Sequence, residues 1–336
     1  MTDIIIQNLL SPVVLFFALG ILAAMVKSDL KFPTALSETL SIYLLIAIGI
    51  KGGIELSHYS LSTVIKPILG TLFLGTFIPI IVLFILRFMK MDFKNAIGLA
   101  ATYGSVSIVT YGAAISFLSE FGTKYEGFMN VLVVLLESPA IFVSLLLLKL
   151  NEENQGHSLS QNIRFTAGKP MVSGLINTKV IKESLFGKSV LLLLGSLVIG
   201  WIAGEGALPA VKPLFIDLYP SVLMIFLLNM GVIAGQRLPE VKKHGWKILL
   251  FAIFMPVLSG ILGIFVGNYI GLSLGGTTLM GVLAGSASYI AAPAALRTSV
   301  PEANPSIYLG LSIGITFPFN LIFGIPLYYS IAQWLQ

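Results

Sequence analysis

Apolar runs about twenty residues long follow one another through almost the whole 336-residue chain, separated by short polar segments. A helix needs roughly 20 apolar residues to cross the hydrocarbon core of a bilayer. The runs are continuous, whereas the strands of a transmembrane β-barrel alternate between apolar and polar residues. Charged residues make up 10% of the chain, against about a quarter in soluble domains. The sequence therefore predicts an all-α polytopic membrane protein.

We predict ten transmembrane spans from these runs. Their approximate limits are 7–26, 34–54, 66–87, 95–117, 127–149, 189–207, 214–236, 247–270, 275–296 and 307–333. One long hydrophilic interval divides the chain near its centre. The predicted organisation is thus a first five-helix repeat over 1–150, a linker over 151–188, and a second five-helix repeat over 189–336.

Lysine and arginine are distributed asymmetrically between the predicted loops. The loops that follow odd-numbered spans hold 16 of the 20 basic residues, and the other loops hold three. Because basic residues concentrate in cytoplasmic loops, the odd-numbered loops and the linker are predicted to be cytoplasmic and both termini to lie outside. The net charge of +5 is thus explained by basic loops that orient the protein in a plasma (inner) membrane. No nucleic-acid partner is expected.

The two halves of the chain resemble each other. Three landmarks recur at offsets of 182, 181 and 179 residues: segment 49–56 at 231–238, Gly104 at Gly285, and Pro139 at Pro318. Five spans per repeat is an odd number, so the second repeat would enter the membrane from the opposite face. Such a 5+5 inverted repeat is the architecture of many ion-coupled carriers.

The fourth and ninth spans each contain a segment of small residues and hydroxyls. These segments are Gly104, Ser105, Val106 and Ser107, and Gly285, Ser286, Ala287 and Ser288. Helix-weakening residues persist at membrane depth only where protein or water covers them, and paired weak segments point to a transporter's binding site. We predict weakened or broken helices whose N-termini bind an anion and whose carbonyls and hydroxyls bind a cation. The alternative interpretation is close helix packing through small residues.

Glu137 is the only carboxylate well inside a predicted span, and an intramembrane ionisable group is a candidate functional residue. It is the predicted sodium ligand or proton carrier, together with the oxygen donors Thr110, Ser288 and Asn320. The alternative is a structural, protonated glutamate. Since cysteine is absent and no hydrolase or nucleotide-binding motif is found, neither an enzyme nor a cofactor is predicted, and transport is expected to be driven by an ion rather than by ATP.

Several of these segments resemble the sodium-dependent bicarbonate transporter family known from cyanobacteria. The resemblance is carried by 103–107, 137–139, 285–297 and, most specifically, the Leu-Arg…Pro-x-Ala-Asn-Pro-Ser run that ends at Ser306. It implies a ten-span inverted repeat, a core domain moving against a scaffold domain, and sodium-coupled uptake of bicarbonate, a small inorganic anion. It also implies a homotrimer in contact with membrane lipid and a small cytoplasmic regulator of the nitrogen-regulator type.

The chain differs from the cyanobacterial pattern at the presumed site. Tyr289 stands in place of an acidic residue, Ala291 in place of a hydroxyl, and Glu137 in place of an aspartate. Two other functions therefore stay open. One is a cation/proton antiporter or a proton-coupled carrier of another small anion, and the other is a membrane receptor that has lost transport.

Overall fold

The computed structural model describes residues 2–159, 187–241 and 245–336, and all the regular secondary structure in these residues is helical. The helices are α1 Thr2–Leu9, α2 Pro12–Met25, α3 Thr34–Leu56, α4 Leu61–Phe88, α5 Phe93–Gly104, α6 Ile108–Glu120, α7 Met129–Leu159, α8 Lys188–Ala203, α9 Tyr219–Val241, α10 Trp246–Tyr269, α11 Leu274–Gly285, α12 Ala291–Ser299 and α13 Pro305–Leu335. Short helical turns over 204–217 join α8 to α9. The predicted all-α class is confirmed.

Seven helical segments of the described chain are long and apolar enough to cross a membrane, or eight if α1 and α2, which meet at 63°, form one span. The multi-pass membrane protein is thereby confirmed, and the count of ten stays a prediction. Part of the difference arises because Lys188–Glu240, which contains α8 and α9, counts as one run, and because the bent pair α1 and α2 is counted separately. In addition, α11 alone is too short to cross a bilayer.

The predicted linker lies largely outside the described residues. The apolar part of α7 is Met129–Asn151, but the helix itself continues to Leu159, so the start of the predicted linker is helical. Residues 160–186, most of the linker that the sequence predicts to be cytoplasmic, lie outside the described residues.

The helices pack in two groups. The first group consists of α2 against α9 and α3 against α8. Glycines bring these pairs together: a Cβ on Gly20 would lie 2.1 Å from the Leu228 carbonyl oxygen, and one on Gly53 would lie 2.0 Å from that of Leu197. Close approach of backbones through small residues is the usual way to pack helices in lipid.

The second group contains α4–α7 and α10–α13. In it α4, α5 and α7 pack together, as do α10, α11 and α13. The last helix, α13, widens into π-helical turns at Ser312–Thr316 and Asn320–Gly324. Such turns expose backbone carbonyls and occur frequently at functional sites. The buried Asn8 donates from Nδ2 to one of them, the Leu321 carbonyl at 2.9 Å, and so attaches α1 to this group.

Candidate functional site

The first helix break separates α5 from α6. Helix α5 ends at Gly104, and the chain is extended at Ser105, with φ −92° and ψ 171°, before α6 begins at Ile108. Gly104 is packed so closely that a Cβ would lie 2.5 Å from Pro79 Cγ. Ser107 then caps α6, because its Oγ accepts a hydrogen bond from the Thr110 amide at 3.2 Å and so satisfies one of the free N–H groups of the first turn.

The second break separates α11 from α12 and begins in the same way. Ser286 has φ −93° and ψ 167°, close to the values at Ser105. A Cβ on the preceding Gly285 would lie 2.6 Å from the Tyr328 hydroxyl and 2.8 Å from the Pro256 carbonyl oxygen. This break is longer, because α12 begins only at Ala291.

The two breaks contact each other directly. The Ser107 amide donates to Ser286 Oγ at 3.0 Å, and the Ser288 amide donates to the Thr102 carbonyl at 2.8 Å. All four residues are buried. Two segments that lie about 180 residues apart in the sequence therefore form one polar centre inside the second helix group.

Four helix ends meet at this centre. The N-termini of α6 and α12 bring free amides and positive dipole ends, which favour an anion. The C-termini of α5 and α11 bring carbonyl oxygens, which favour a cation. The side chains of Val106 and Ala287 are buried there and apolar, so these two predicted site residues offer only backbone groups.

The hydroxyls of the centre are hydrogen-bonded to nearby groups. Thr110 Oγ1 donates to Ser107 Oγ at 2.9 Å, Ser286 Oγ donates to the Leu283 carbonyl at 3.1 Å, and Ser288 Oγ accepts from the Ala292 amide at 3.2 Å. Thr110 Oγ1, Ser286 Oγ and Ser288 Oγ keep acceptor capacity beyond these bonds, whereas Ser107 Oγ accepts from both the amide and the hydroxyl of Thr110 and keeps only its own O–H to donate. They are thus positioned and still able to bind a ligand.

Glu137 lies on α7 next to the first break. Ser105 Oγ donates to its backbone carbonyl at 3.3 Å, and its side chain is 2% exposed with Oε2 lacking a hydrogen-bond partner. A charged carboxylate enclosed in this way is costly unless a cation or a proton neutralises it. Among the described residues no group of three acidic or histidine side chains forms a metal site.

Asn320 is already hydrogen-bonded at both ends of its amide. Its Nδ2 donates to the Gly285 carbonyl at 2.8 Å, and its Oδ1 accepts from the Tyr328 hydroxyl at 2.9 Å. The Tyr328 hydroxyl also lies 3.0 Å from the Pro256 carbonyl. The structure therefore assigns Asn320 a bond to the C-terminal carbonyl of α11.

Two polar residues of this centre were missing from the candidates drawn from sequence. Thr102 supplies the carbonyl that joins the breaks, and its buried Oγ1 has no partner. Tyr328 supports both Gly285 and Asn320. Thr102 could have been found from the sequence, because it is a hydroxyl residue two positions before Gly104. No sequence feature near Tyr328 indicates its role.

One cavity of about 590 Å³ reaches the second break; we call it the Tyr289 cavity. It lies between the two helix groups, and its lining includes Glu38, Leu45, Phe226, Met230, Tyr289 and Ala291. An exposed ion pair, Lys188 Nζ to Glu38 Oε2 at 3.4 Å, borders it. The cavity therefore connects the helix break to the end of the molecule where α3 and α8 begin.

A second cavity of about 580 Å³, the Lys51 cavity, also lies between the two helix groups. Polar residues that line it include Lys51, Glu55, Glu120, Lys124, Asn130 and Tyr219. Lys51 Nζ donates to the Tyr125 hydroxyl at 3.2 Å. None of the residues of either helix break is in its lining.

The sequence over residues 12–333 matches a family described as the Na+-dependent bicarbonate transporter superfamily. The chain belongs to this superfamily. The match covers both helix breaks, Glu137 and both helix groups, so the resemblance predicted from the sequence is confirmed. No curated protein matches the chain.

Membership of the Na+-dependent bicarbonate transporter superfamily implies sodium-dependent transport of bicarbonate, with sodium as the coupling ion. The prediction that the protein is a transporter and not an enzyme agrees with membership of this family. Helix ends that favour an anion and helix ends that favour a cation meet at one buried point, an arrangement found at the substrate and ion sites of many secondary transporters.

Proposed function

We propose that the protein is a symporter that carries bicarbonate together with sodium by alternating access, with both ions bound where the two helix breaks cross. The observation that carries this proposal is the pair of hydrogen bonds, from Ser107 to Ser286 and from Ser288 to Thr102, that join breaks from the two halves. Together they bring two positive and two negative helix ends to one buried point.

Bicarbonate would be held by the N-terminal amides of α6 and α12 and by nearby hydroxyls. A monovalent oxyanion accepts several hydrogen bonds, and helix N-termini supply donors without placing a full positive charge in the membrane. The proposed anion-binding residues are Gly104, Ser105, Val106, Ser107, Gly285, Ser286, Ala287 and Ser288. Those with apolar side chains would contribute through the backbone.

Sodium would bind on the carbonyl side of the same centre. Glu137 would supply a negatively charged ligand, since its buried Oε2 has no hydrogen-bond partner. Thr110 and Ser288 would supply neutral oxygen ligands. Asn320 acts indirectly in this proposal, because its amide orients the Gly285 carbonyl. Since the anion and the cation would lie next to each other, each would lower the desolvation cost of binding the other.

We further propose the ten-span inverted repeat. Helices α5 and α11 have equal lengths of 12 residues, end at an offset of 181, and are followed by serines of nearly equal backbone angles. The run Lys188–Glu240 has 53 residues and would be about 80 Å long as one helix, far beyond the ~30 Å hydrocarbon core. It supports two spans, α8 and α9.

Two reciprocal contacts between the halves support the repeat independently. The Ser273 amide donates to Glu126 Oε1 at 2.7 Å, and the Asn304 amide donates to Asn95 Oδ1 at 2.7 Å. At the offset of 181 that aligns α5 with α11, Glu126 and Asn95 correspond to Ile307 and Gly276, each three residues from the observed partners Asn304 and Ser273. Each half therefore ties the beginning of the other half's broken helix in place.

The packing also supports movement of one helix group against the other. The first helix group would be the scaffold and the second the moving core, because both breaks lie in the second group and both cavities lie between the groups. By the distribution of basic residues, the Tyr289 cavity would face the cytoplasm and the Lys51 cavity the outside. The homotrimer, the inner-membrane location and a nitrogen-regulator-like partner remain expectations from the family resemblance.

Uptake of labelled bicarbonate into proteoliposomes, with and without an inward sodium gradient, tests the function. We expect sodium-stimulated uptake that is lost in Glu137→Gln and strongly reduced in Ser288→Ala. Matched controls are Glu240→Gln, a half-exposed carboxylate paired with Arg237, and Ser259→Ala, a buried serine on α10. Both should transport like the wild type.

Proton coupling through Glu137 is the second candidate, since an isolated buried carboxyl can carry a proton as well as bind sodium. Uptake driven by an inward proton gradient without sodium would favour it over sodium symport. Sodium-driven proton movement without anion accumulation would indicate an antiporter.

A further inference from the structure

Tyr289 carries the one enclosed hydroxyl within the second break that has no hydrogen-bond partner. The residue is 9% exposed, and its hydroxyl oxygen is buried and unpaired. Burying a hydroxyl without a partner is unfavourable, so this group is available to a ligand.

The ring of Tyr289 is fixed in position. It packs edge-on against Phe317 of α13, with ring centroids 5.7 Å apart. The Ser107 side chain, which caps α6, is the polar neighbour of the Tyr289 hydroxyl. Because Ser107 Oγ already accepts from the amide and the hydroxyl of Thr110, it can only donate to the Tyr289 oxygen, and the Tyr289 proton stays available to a ligand. The unpaired hydroxyl from the second break is therefore located beside the N-terminus of the helix that follows the first break.

Tyr289 also lines the Tyr289 cavity, together with Ile290 and Ala291. A ligand that reaches the break through this cavity passes the tyrosine first. The hydroxyl can donate one hydrogen bond and, at membrane depth, is a neutral group that carries no charge of its own.

We infer that the Tyr289 hydroxyl donates a hydrogen bond to the transported oxyanion and so sets the affinity and selectivity of the site for bicarbonate. This inference rests on the proposed function. Tyr289 completes the donor set that the amides of α6 begin, and its neutral phenol avoids the repulsion that a carboxylate in the same place would exert on an anion.

Tyr289→Phe tests the inference because it keeps the ring that packs on Phe317 and removes only the hydroxyl. In proteoliposomes at saturating sodium, we expect the KM for bicarbonate to rise about tenfold, the cost of losing a hydrogen bond to a charged ligand. The maximal rate and the sodium concentration for half-maximal uptake should stay within about twofold.

Tyr103→Phe is the matched control. Tyr103 is 2% exposed and lies just before the first break, but its hydroxyl is paired with Thr316 Oγ1 at 2.7 Å. We expect no change in the KM for bicarbonate. An unchanged KM in Tyr289→Phe, an equal rise in both variants, or a rise in the sodium requirement alone would each overturn the inference.

A failure of the proposed function gives a different result, because wild-type protein would then show no sodium-stimulated uptake. In that case the bicarbonate-dependent rise in Tm of purified protein is compared between wild type and Tyr289→Phe. A rise that the variant loses supports the contact with the anion, and equal responses overturn it.

Discussion

The two helix breaks begin alike and end differently. Both start at a glycine that has no room for a side chain and continue into an extended serine. The first break is three residues long and closed by the Ser107 cap. The second is five residues long, ends at Ile290 without a side-chain cap, and borders a cavity.

This difference suggests a division of labour between the repeats. We propose that the short, capped and fully buried break is the rigid half of the site, and that ligands would reach the centre through the longer break next to the cavity. In the proposed inverted repeat, the two halves would supply matching helix ends, and departures from symmetry would give them separate roles.

The largest effects should come from the glycines that the two breaks share. Gly104→Ala and Gly285→Ala place a Cβ 2.5 Å and 2.6 Å from buried neighbours, and such overpacking costs about 1–3 kcal/mol. We expect a clear fall in Tm and loss of uptake for both. Gly195→Ala, at a helical position with no atom within 4 Å, is the control. A Tm equal to that of the control would show that the glycines are not required.

Asn320→Ala should weaken sodium binding without weakening bicarbonate binding. It removes the amide that holds the Gly285 carbonyl, and loss of a group that orients a ligand typically costs about tenfold or more in metal affinity. We expect the sodium concentration for half-maximal uptake to rise about tenfold with little change in the KM for bicarbonate. A rise in the KM for bicarbonate alone would contradict this role and would indicate that Asn320 supports anion binding instead.

Ser107 and Ser288, one in each break, should differ in how much they contribute to the stability of the protein. Ser107→Ala removes a cap that accepts from both the amide and the hydroxyl of Thr110, and loss of such a cap costs about 1 kcal/mol. Ser288→Ala removes one acceptor and should lower the Tm less. Equal decreases in thermal unfolding would contradict the interpretation that only the first break is rigidly capped.

The smallest effect is expected at the entrance to the Tyr289 cavity. Lys188→Gln breaks an ion pair with Glu38 whose side chains are 55% and 69% exposed, and exposed pairs contribute about 0–1 kcal/mol. Uptake rates should change less than about twofold. A large change would mean that this ion pair closes the cavity during transport.

The all-α class and the positions of both helix breaks could be predicted from the sequence, because hydropathy and glycine–serine segments are local signals. The sequence could not indicate the pairing of Asn320 with Gly285, the support from Tyr328 or the joining role of Thr102, since these contacts join distant parts of the chain. The sequence separates α8 and α9 into two predicted spans, whereas the structure joins them through helical turns, so that helix length alone counts them once.

The central claim is that sodium and bicarbonate bind together at one centre made by both breaks. Calorimetric titration of bicarbonate into purified protein, in sodium and in potassium, tests it most directly. We predict that sodium tightens bicarbonate binding about tenfold or more and that bicarbonate tightens sodium binding by the same factor, as thermodynamic coupling requires. Equal bicarbonate affinity in the two salts would contradict the claim.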